Sequence, residues 1–297
     1  MYRIRQIFIV AVTNFRRWKQ SPQIWLAFGL GFAASFLLSN KVVIFAGKHE
    51  TVLQLFEPFI WTFGDANSIL LISLCLLLLF ADMPCADNEV PFQLVRTSRA
   101  RWMAGQILYL CAATLVFVSF VFVSTCILAG SEAYGADMWS DTAAILSYSS
   151  IGEEIAVPAF VKVLEFTFPY RCTFHIFALM LGYSLVMSSL IFYFNLYRAK
   201  LGMIAGTVFS GFGFFLTPET LSKWFGLGEY EASSANILFG WLSTLNHATY
   251  YMHSFGYDRL PKLWMSYVIF AIFSAVIFAL AFIRVKNYTF DFTGTEK

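Results

Sequence analysis

Long apolar blocks are the feature that most limits what this chain can fold into. Residues 102–129 and 263–283 each contain no Asp, Glu, Lys or Arg, and about 20 helical residues are enough to cross the hydrocarbon of a bilayer. The sequence has 59% hydrophobic and 13% charged residues, whereas about a quarter of the residues in a soluble domain are charged. We therefore expect an all-α polytopic membrane protein.

Six transmembrane helices are predicted from these blocks and from the turn signals between them. Ser21 and Pro22 are typical of an N-cap followed by a first-turn proline, so the first span is expected to begin there. The fifth span is short and needs another segment to complete it at its outer end. The expected spans are residues 22–45, 60–81, 102–129, 173–195, 201–216 and 263–284.

The whole chain, residues 1–297, is predicted to form one transmembrane domain. Between and before the spans it contains an interfacial segment (1–20), a cytoplasmic segment (84–101), an acidic extracellular loop (130–172) and an extracellular or re-entrant region (217–262).

The first twenty residues are predicted to form an amphipathic helix that rests in the membrane interface. Apolar residues recur on one helical stripe, and basic residues lie mostly off it, which is typical of a helix that faces lipid on one side and phosphate on the other. The stripe comprises Ile4, Phe8, Ala11, Val12, Phe15 and Trp18, and the basic residues at its end are Arg16, Arg17 and Lys19.

The basic residues predict the orientation of the chain in the membrane. With six spans, thirteen basic and five acidic residues lie on the side of the termini, a net charge of +8, and the opposite side carries −6, which together give the +2 of the whole chain. Because basic residues accumulate on the cytoplasmic side, both termini are expected in the cytoplasm of a multi-pass cell-membrane protein.

Residues 233–255 are apolar enough to suggest a seventh span. They also contain two histidines, two asparagines and several hydroxyl groups, and a seventh span would place Arg284 and Lys286 outside. We therefore predict a re-entrant or interfacial hairpin that enters from outside before the sixth span, since irregular backbone is tolerated at that depth where protein or water covers it.

The connection between the second and third spans has an unusual density of charge and turn chemistry. Pro84 ends the preceding helix, and a short helix from about Glu89 to Thr97 is predicted, with acids at its start and a basic residue at its end. Its apolar residues favour docking to another protein, although basic residues that only anchor a loop are the alternative. The residues expected to make the contact are Asp87, Glu89, Val90, Phe92, Arg96, Arg99 and Arg101.

The stretch LFADMPCADNEVPFQLVRTSRARW, residues 79–102, resembles the connection between helices two and three of ABC-2 type permeases. The order of an interfacial N-terminal helix, two spans, a charged segment and four spans is similar to that family over the whole chain. The resemblance implies that residues 87–101 form a coupling helix seated on a separate ATPase. It also implies that the N-terminal segment is an elbow helix beside it, with Arg16, Arg17 and Lys19 near the ATPase.

The resemblance also implies the partners. No GxxxxGK[ST] motif is present, so ATP and Mg²⁺ are expected in two P-loop ATPase subunits and not in this chain. A second permease chain, identical or related, is expected to share the pathway. Membrane lipid is the remaining partner, and no nucleic acid is expected.

Two groups of residues within the spans have more than one interpretation. The predicted fourth span contains a polar stripe that either lines a pathway or bonds to its own helix backbone. The stripe consists of Tyr183, Ser184, Ser188 and Asn195. The predicted fifth span has a face of small residues that favours close helix packing. The alternative is a helix contact that slides or parts during transport. The face consists of Gly202, Gly206, Ser210 and Gly213. Since no span contains a central charge, the pathway is expected to suit amphipathic or lipid-like cargo.

Two other classes of function stay open. One is an intramembrane enzyme, a protease or a lipid-modifying protein, and the other is a channel subunit without ATP coupling. An enzyme needs a nucleophile or a metal set. The six-residue spacing of His247 and His253 does not place them on one helix face, so no catalytic, cofactor or metal residue is predicted.

Overall fold

The computed structural model describes residues 2–84, 97–130, 133–149, 151–155, 157, 159–226, 232–256, 259–286 and 288. The predicted coupling residues Asp87, Glu89, Val90, Phe92 and Arg96 lie outside these residues.

The chain is helical almost throughout the described part. In order, the helices are α1 (Tyr2–Arg16), α2 (Pro22–Lys48), α3 (Glu57–Phe63), α4 (Ala66–Leu79), α5 (Arg99–Ala129), α6 (Asp141–Tyr148), α7 (Ile151–Glu154), α8 (Val161–Phe166), α9 (Pro169–Asn195), α10 (Leu201–Phe215), α11 (Pro218–Phe225), α12 (Ala232–Leu242), α13 (Thr244–Ala248) and α14 (Leu263–Val285). Two short 3₁₀ segments, Arg17–Gln20 and Tyr250–Met252, follow α1 and α13.

Four helices are long and apolar enough to cross a membrane, namely α2, α5, α9 and α14. Two bent pairs, α3 with α4 and α10 with α11, pass the same test of length and composition. The protein is therefore an all-α, multi-pass membrane protein with four to six candidate spans among the described residues. The segments predicted as the first, third, fourth and sixth spans each form a single helix.

The second predicted span, residues 60–81, is not one continuous helix in the structure. The structure divides this region into α3 and α4, whose axes differ by 88°. Asp65 causes the division because its carboxylate accepts a hydrogen bond from the backbone N–H of Asn67 at 3.0 Å and starts a new helix. Gly64 ends α3 immediately before it.

Other helix ends differ from the predicted spans by a few residues for local reasons. The helix predicted from Trp102 begins at Arg99, because Ser98 is its N-cap and accepts from the backbone N–H of Arg101 at 3.4 Å. The helix predicted from Thr173 begins at Pro169, a residue well suited to the first turn. The short fifth helix ends at Phe215, and α11 continues from it at an angle of 82°.

Helix α9 is the centre of the packed interior. It packs against α5, α10 and α14. In an apolar 18-residue stretch of α9, 61% is buried inside the protein, compared with 22% for the corresponding stretch of α14. Helix α14 consequently presents most of its surface outward, where Ile272, Phe273 and Ile283 are exposed. In a bilayer such residues face lipid tails.

A small parallel ladder joins the connection after α2 to the connection after α5. Strand β1 (Leu53–Gln54) pairs with β2 (Ala133–Tyr134), with Leu53 opposite Ala133. The amide Nε2 of Gln54 adds a bond to the carbonyl of Ala136 at 3.3 Å. These contacts hold two connections that are far apart in the sequence at one end of the helix bundle.

Candidate functional site

One end of the bundle gathers the ends of several helices and is rich in basic residues. We call it the basic end and define it by Arg17, Arg99, Arg101, Lys200 and Arg284. The Nη1 group of Arg99 donates to the carbonyls of Lys286 at 2.5 Å and Val285 at 3.4 Å, which joins the start of α5 to the end of α14. The guanidinium of Arg284 lies 4.3 Å from the ring centroid of Tyr197, just after α9.

Asn195 fixes the junction of three helices at the basic end. Its Nδ2 donates to the carbonyl of Ala81 at 3.1 Å, after α4, and its Oδ1 accepts from the backbone N–H of Gly202 at 2.8 Å, in α10. A Cβ at Gly202 would lie 2.1 Å from the carbonyl oxygen of Ile191. The approach of α10 to α9 therefore requires glycine at this position.

Helix α1 is docked on α5 by polar contacts as well as by apolar ones. The buried amides of Asn14 and Gln106 bond at 2.8 Å, and the indole N–H of Trp18 donates to the hydroxyl of Tyr109 at 2.9 Å. One turn earlier, Arg101 donates to the side-chain oxygen of Gln6. Helices α2, α3 and α4 separate α1 from α5 in the sequence. These contacts hold α1 and α5 side by side at the basic end.

The opposite side of α1 is apolar and uncovered. Ile4, Phe8 and Val12, at a spacing of four residues, have 61%, 56% and 47% of their surface exposed. The predicted stripe is divided in the structure, because Ala11 is buried against the bundle while these three residues face outward. Arg16 and Lys19 are exposed and Arg17 is half-buried, so the docked helix presents both an apolar stripe and basic groups.

A cavity of about 630 Å³ opens at the basic end. Its lining comes from the junction of α1 with α2, from the residues after α4 and from the connection between α9 and α10. The charged and polar lining residues include Arg17, Gln20, Asp82, Asn195 and Lys200. The cavity therefore lies beside Pro84, the last described residue before the predicted coupling residues.

The predicted polar stripe of α9 lies inside the packed bundle. Tyr183, Ser184 and Ser188 are each at most 1% exposed. The Ser188 hydroxyl donates to the carbonyl of Ser184 at 2.7 Å and lies 3.3 Å from the hydroxyl of Thr114 on α5. Ser188 thus satisfies its hydrogen bonding within the protein, while Asn195, at the end of the same helix, also borders the basic-end cavity.

The small-residue face of α10 is buried against its neighbours. Gly202, Gly206, Ser210 and Gly213 are the buried residues of this helix. A Cβ at Gly206 would lie 2.6 Å from Leu77 of α4, and one at Gly213 would lie 3.2 Å from Leu245 of α13. Small side chains at these positions let α10 lie close to three separate elements.

The end opposite the basic end, which we call the cap end, is built around the buried carboxylate of Glu57. Its oxygens accept hydrogen bonds from the Ser140 N–H at 2.8 Å, the Ser140 hydroxyl at 2.5 Å and the Gln54 N–H at 3.3 Å. Glu57 is fully buried. Sequence analysis missed it, because an isolated acid just before an apolar block resembles an ordinary loop residue and its main partner is 83 positions away.

Two histidines of the cap end share one serine hydroxyl. Ser266 Oγ lies 2.8 Å from His247 Nδ1 and 2.7 Å from His253 Nε2. The second nitrogen of each ring faces a carbonyl, of Trp241 at 3.1 Å and of Thr249 at 2.9 Å. Four such contacts need four protons, whereas two neutral imidazoles and one hydroxyl supply three. Burial lowers the pKa of both histidines and so favours the neutral rings.

No family model, curated protein or solved structure matches this chain. Within the described part of the chain, no three His, Cys, Asp or Glu side chains are grouped so that they could hold a metal ion.

Proposed function

We propose that this protein is the membrane subunit of an ATP-driven exporter of the ABC-2 type. In this proposal α2, the α3–α4 pair, α5, α9, the α10–α11 pair and α14 are six spans of the cell membrane, with both termini in the cytoplasm. The short elements from α12 to the 3₁₀ segment Tyr250–Met252 are the re-entrant region before the sixth span.

The observation that carries the proposal is the position of α1. It lies against α5 at the basic end, its uncovered side is an apolar stripe, and the connection from α4 to α5 begins and ends beside it. An interfacial helix held beside a cytoplasmic connection is the arrangement that an elbow and coupling helix require. The basic character of this end supports a cytoplasmic location.

The contacts of Arg99 and Arg101 suggest how force enters the bundle. Two P-loop ATPase subunits would bind ATP and Mg²⁺, and their closure would press on residues 84–101. Arg99 is bonded to the end of α14 and Arg101 to Gln6 of α1. A displacement of the coupling segment therefore reaches α1, α5 and α14 together.

The pathway is proposed to lie between this chain and a second, identical or related permease chain, and to reach the polar stripe of α9 when the helices packed against it part. Tyr183, Ser184 and Ser188 are buried with the helices closed. Since Ser188 bonds to its own helix, this part of the stripe is stable when closed and offers hydroxyl groups when the helices part. Amphipathic cargo suits such a lining.

Co-purification tests the proposal. The tagged full-length chain, extracted in mild detergent from its own host, is expected to retain an ATPase that carries a P-loop. Phe92→Asp with Arg96→Glu should release the ATPase, whereas the control Trp224→Asp with Lys223→Glu, two exposed residues of α11, should not. Absence of any nucleotide-hydrolysing partner from the wild-type preparation would refute the proposal.

Thiol labelling in intact cells tests the orientation. A membrane-impermeant maleimide should not label Cys85 from outside but should label a cysteine introduced at Gly135, where a Cβ meets no other atom within 4 Å. Labelling of Cys85 from outside would invert the proposed topology and remove the ATPase contact.

A second candidate, an intramembrane hydrolase, is favoured by the contact of Ser266 with His253. A neutral His253 Nε2 at 2.7 Å is placed to accept the hydroxyl proton of Ser266. Ser266 is, however, fully buried, so a substrate would need the cap end to open. Labelling of Ser266 by a fluorophosphonate, abolished by His253→Ala, would support this function, and no labelling would exclude a reactive serine there.

A further inference from the structure

A second cavity, of about 390 Å³, lies at the cap end. It is bounded by the start of α9, the start of α14 and the segment that follows the 3₁₀ turn. Its lining residues that matter below are Phe166, Arg171, His253, Phe255, Lys262 and Leu263. A volume of this size is within the range of small-molecule sites.

The charge at the rim of this cavity is positive. The side chains of Arg171 and Lys262 are exposed, and neither forms an ion pair within the described residues. The described lining includes no Asp or Glu. Glu165, six residues before Arg171, accepts from the hydroxyl of Tyr148 at 3.4 Å. Two cations thus stand at one opening in a region of the chain that is otherwise acidic.

The floor of the cavity is polar, fixed and uncharged. His253 is almost fully buried and is held by the carbonyl of Thr249 and the hydroxyl of Ser266. Burial lowers its pKa to about 4, with Lys162 and His247 acting in the same direction. His253 therefore adds no charge near neutral pH, and the charged side chains among the described lining residues are those of Arg171 and Lys262.

The walls are aromatic and partly uncovered. Phe166 has 53% of its surface exposed and its ring centroid lies 6.3 Å from that of Phe255. The ring of Phe255 also packs edge-on against Tyr250 at 5.5 Å, and the ammonium of Lys162 lies 5.4 Å from its centroid. A small polar anion would leave this apolar surface uncovered, whereas a ligand with an apolar part would bury it.

We infer that this cavity binds an anionic amphiphile, with the charged group between Arg171 and Lys262 and an alkyl or aromatic part against Phe166, Phe255 and Leu263. The required chemistry is a phosphate, sulfate or carboxylate joined to a short apolar group. Guanidinium and ammonium donors form charge-assisted hydrogen bonds with such groups. The site does not depend on the presence of an ATPase partner.

Hexyl phosphate is the probe that separates the parts of this inference. Titrated calorimetrically into the purified full-length protein, with an empty-micelle titration subtracted, it should bind saturably. Inorganic phosphate lacks the tail and hexanol lacks the charge. Each should therefore bind with a Kd at least about tenfold higher than that of hexyl phosphate.

Two matched variants test the residues. Arg171→Gln with Lys262→Gln is expected to weaken hexyl phosphate binding about tenfold or more. Arg259→Gln with Lys223→Gln removes two exposed cations that do not line the cavity and should change the Kd by less than about twofold. Equal affinity of the two double variants would overturn the inference, and an unchanged circular dichroism spectrum and elution volume exclude misfolding as the cause of a loss.

The source of the ligand is distinguished in nanodiscs. If the anion is a lipid headgroup, hexyl phosphate should bind to the protein in phosphatidylcholine nanodiscs but not in phosphatidylglycerol nanodiscs. If the anion arrives from water, the two discs should give the same Kd. Either result supports the site, and absence of binding in both discs and in detergent overturns it.

Discussion

The two ends of this protein use polar residues in opposite ways. At the cap end, Glu57, His253 and Ser266 are buried and each has partners from a distant part of the chain. At the basic end, Arg99 and Lys200 remain exposed at the ends of helices. The cap end therefore buries titratable side chains in its polar contacts, whereas the basic end buries amides, such as those of Asn14 and Asn195, and keeps Arg99 and Lys200 at the surface.

The difference predicts where each kind of substitution acts. Removing a partner from a buried network leaves donors without acceptors, which costs more free energy than removing a surface charge. Substitutions of the buried polar residues at the cap end should mainly reduce the stability of the isolated chain. Substitutions of the exposed charges at the basic end should mainly affect association with a partner.

The largest effect is expected for Glu57→Ala. Three hydrogen-bond donors of Ser140 and Gln54 lose their acceptor, so the free energy of unfolding should fall by about 3 kcal/mol or more. Trp61 and Trp139, whose rings lie 5.4 Å apart, report the loss by fluorescence during thermal unfolding in detergent. The control Glu57→Gln keeps one acceptor oxygen, so its free energy of unfolding should fall by less. If Glu57→Ala were as stable as the wild type, the Glu57 carboxylate would not be what holds the cap end together.

The next effect tests close packing at the basic end. Gly202→Ala places a Cβ against the carbonyl oxygen of Ile191 and should cost about 2 kcal/mol. Gly211→Ala, in the same helix, meets no atom within 4 Å and should be neutral or stabilising by about 0.5–1 kcal/mol. Unfolding of both variants in a denaturing detergent series measures the contrast, and equal stabilities would show that α10 is not held closely to α9.

A third prediction concerns pH. The pKa of His253 in the folded protein, about 4, is below the ordinary value of 6.5, so the neutral ring contributes stability above pH 6.5 that is lost as the pH falls towards 4. Between pH 8 and pH 5 the loss should be about 2 kcal/mol. His253→Gln should show a correspondingly flatter dependence of melting temperature on pH. Parallel curves for the two proteins would mean that the pKa of His253 is not lowered in the folded protein.

The smallest effect is expected where α1 meets α5. Asn14→Leu or Gln106→Leu alone leaves one buried amide without its partner and should cost about 1–2 kcal/mol. The double substitution removes both polar groups and should cost clearly less than the sum of the two. A double-mutant cycle in chemical unfolding measures the coupling, and strict additivity would show that the amide pair does not hold α1.

Much of the fold follows from local sequence signals. Ser21 and Pro22 start α2 as predicted, and the charge-free block of residues 102–129 is one helix. The hydroxyls of Thr114, Ser124 and Thr125 within it donate to carbonyls of the same helix. The break after Gly64 was missed although its signal, Asp65, is visible in the sequence. An apolar block of spanning length gives a strong pattern, and a single capping residue within it is easily overlooked.

The candidate sites were less predictable, because their partners are distant in the sequence. The six-residue spacing of His247 and His253 gave no reason to join them, since Ser266 of α14 is what brings them together. For the stripe at Ser184 and Ser188, the sequence left two interpretations open, and the structure shows Ser188 bonded to its own helix. The roles predicted for residues 87–96 stay predictions.

The contact between Asn14 and Gln106 also has a consequence for biogenesis. Gln106 is made 92 residues after Asn14, so α1 leaves the ribosome well before the surface that receives it exists. Until Gln106 has been made, the amide of Asn14 lacks the partner that it has in the folded protein. Helix α1 therefore reaches its final place only after α2, α3 and α4 have been made.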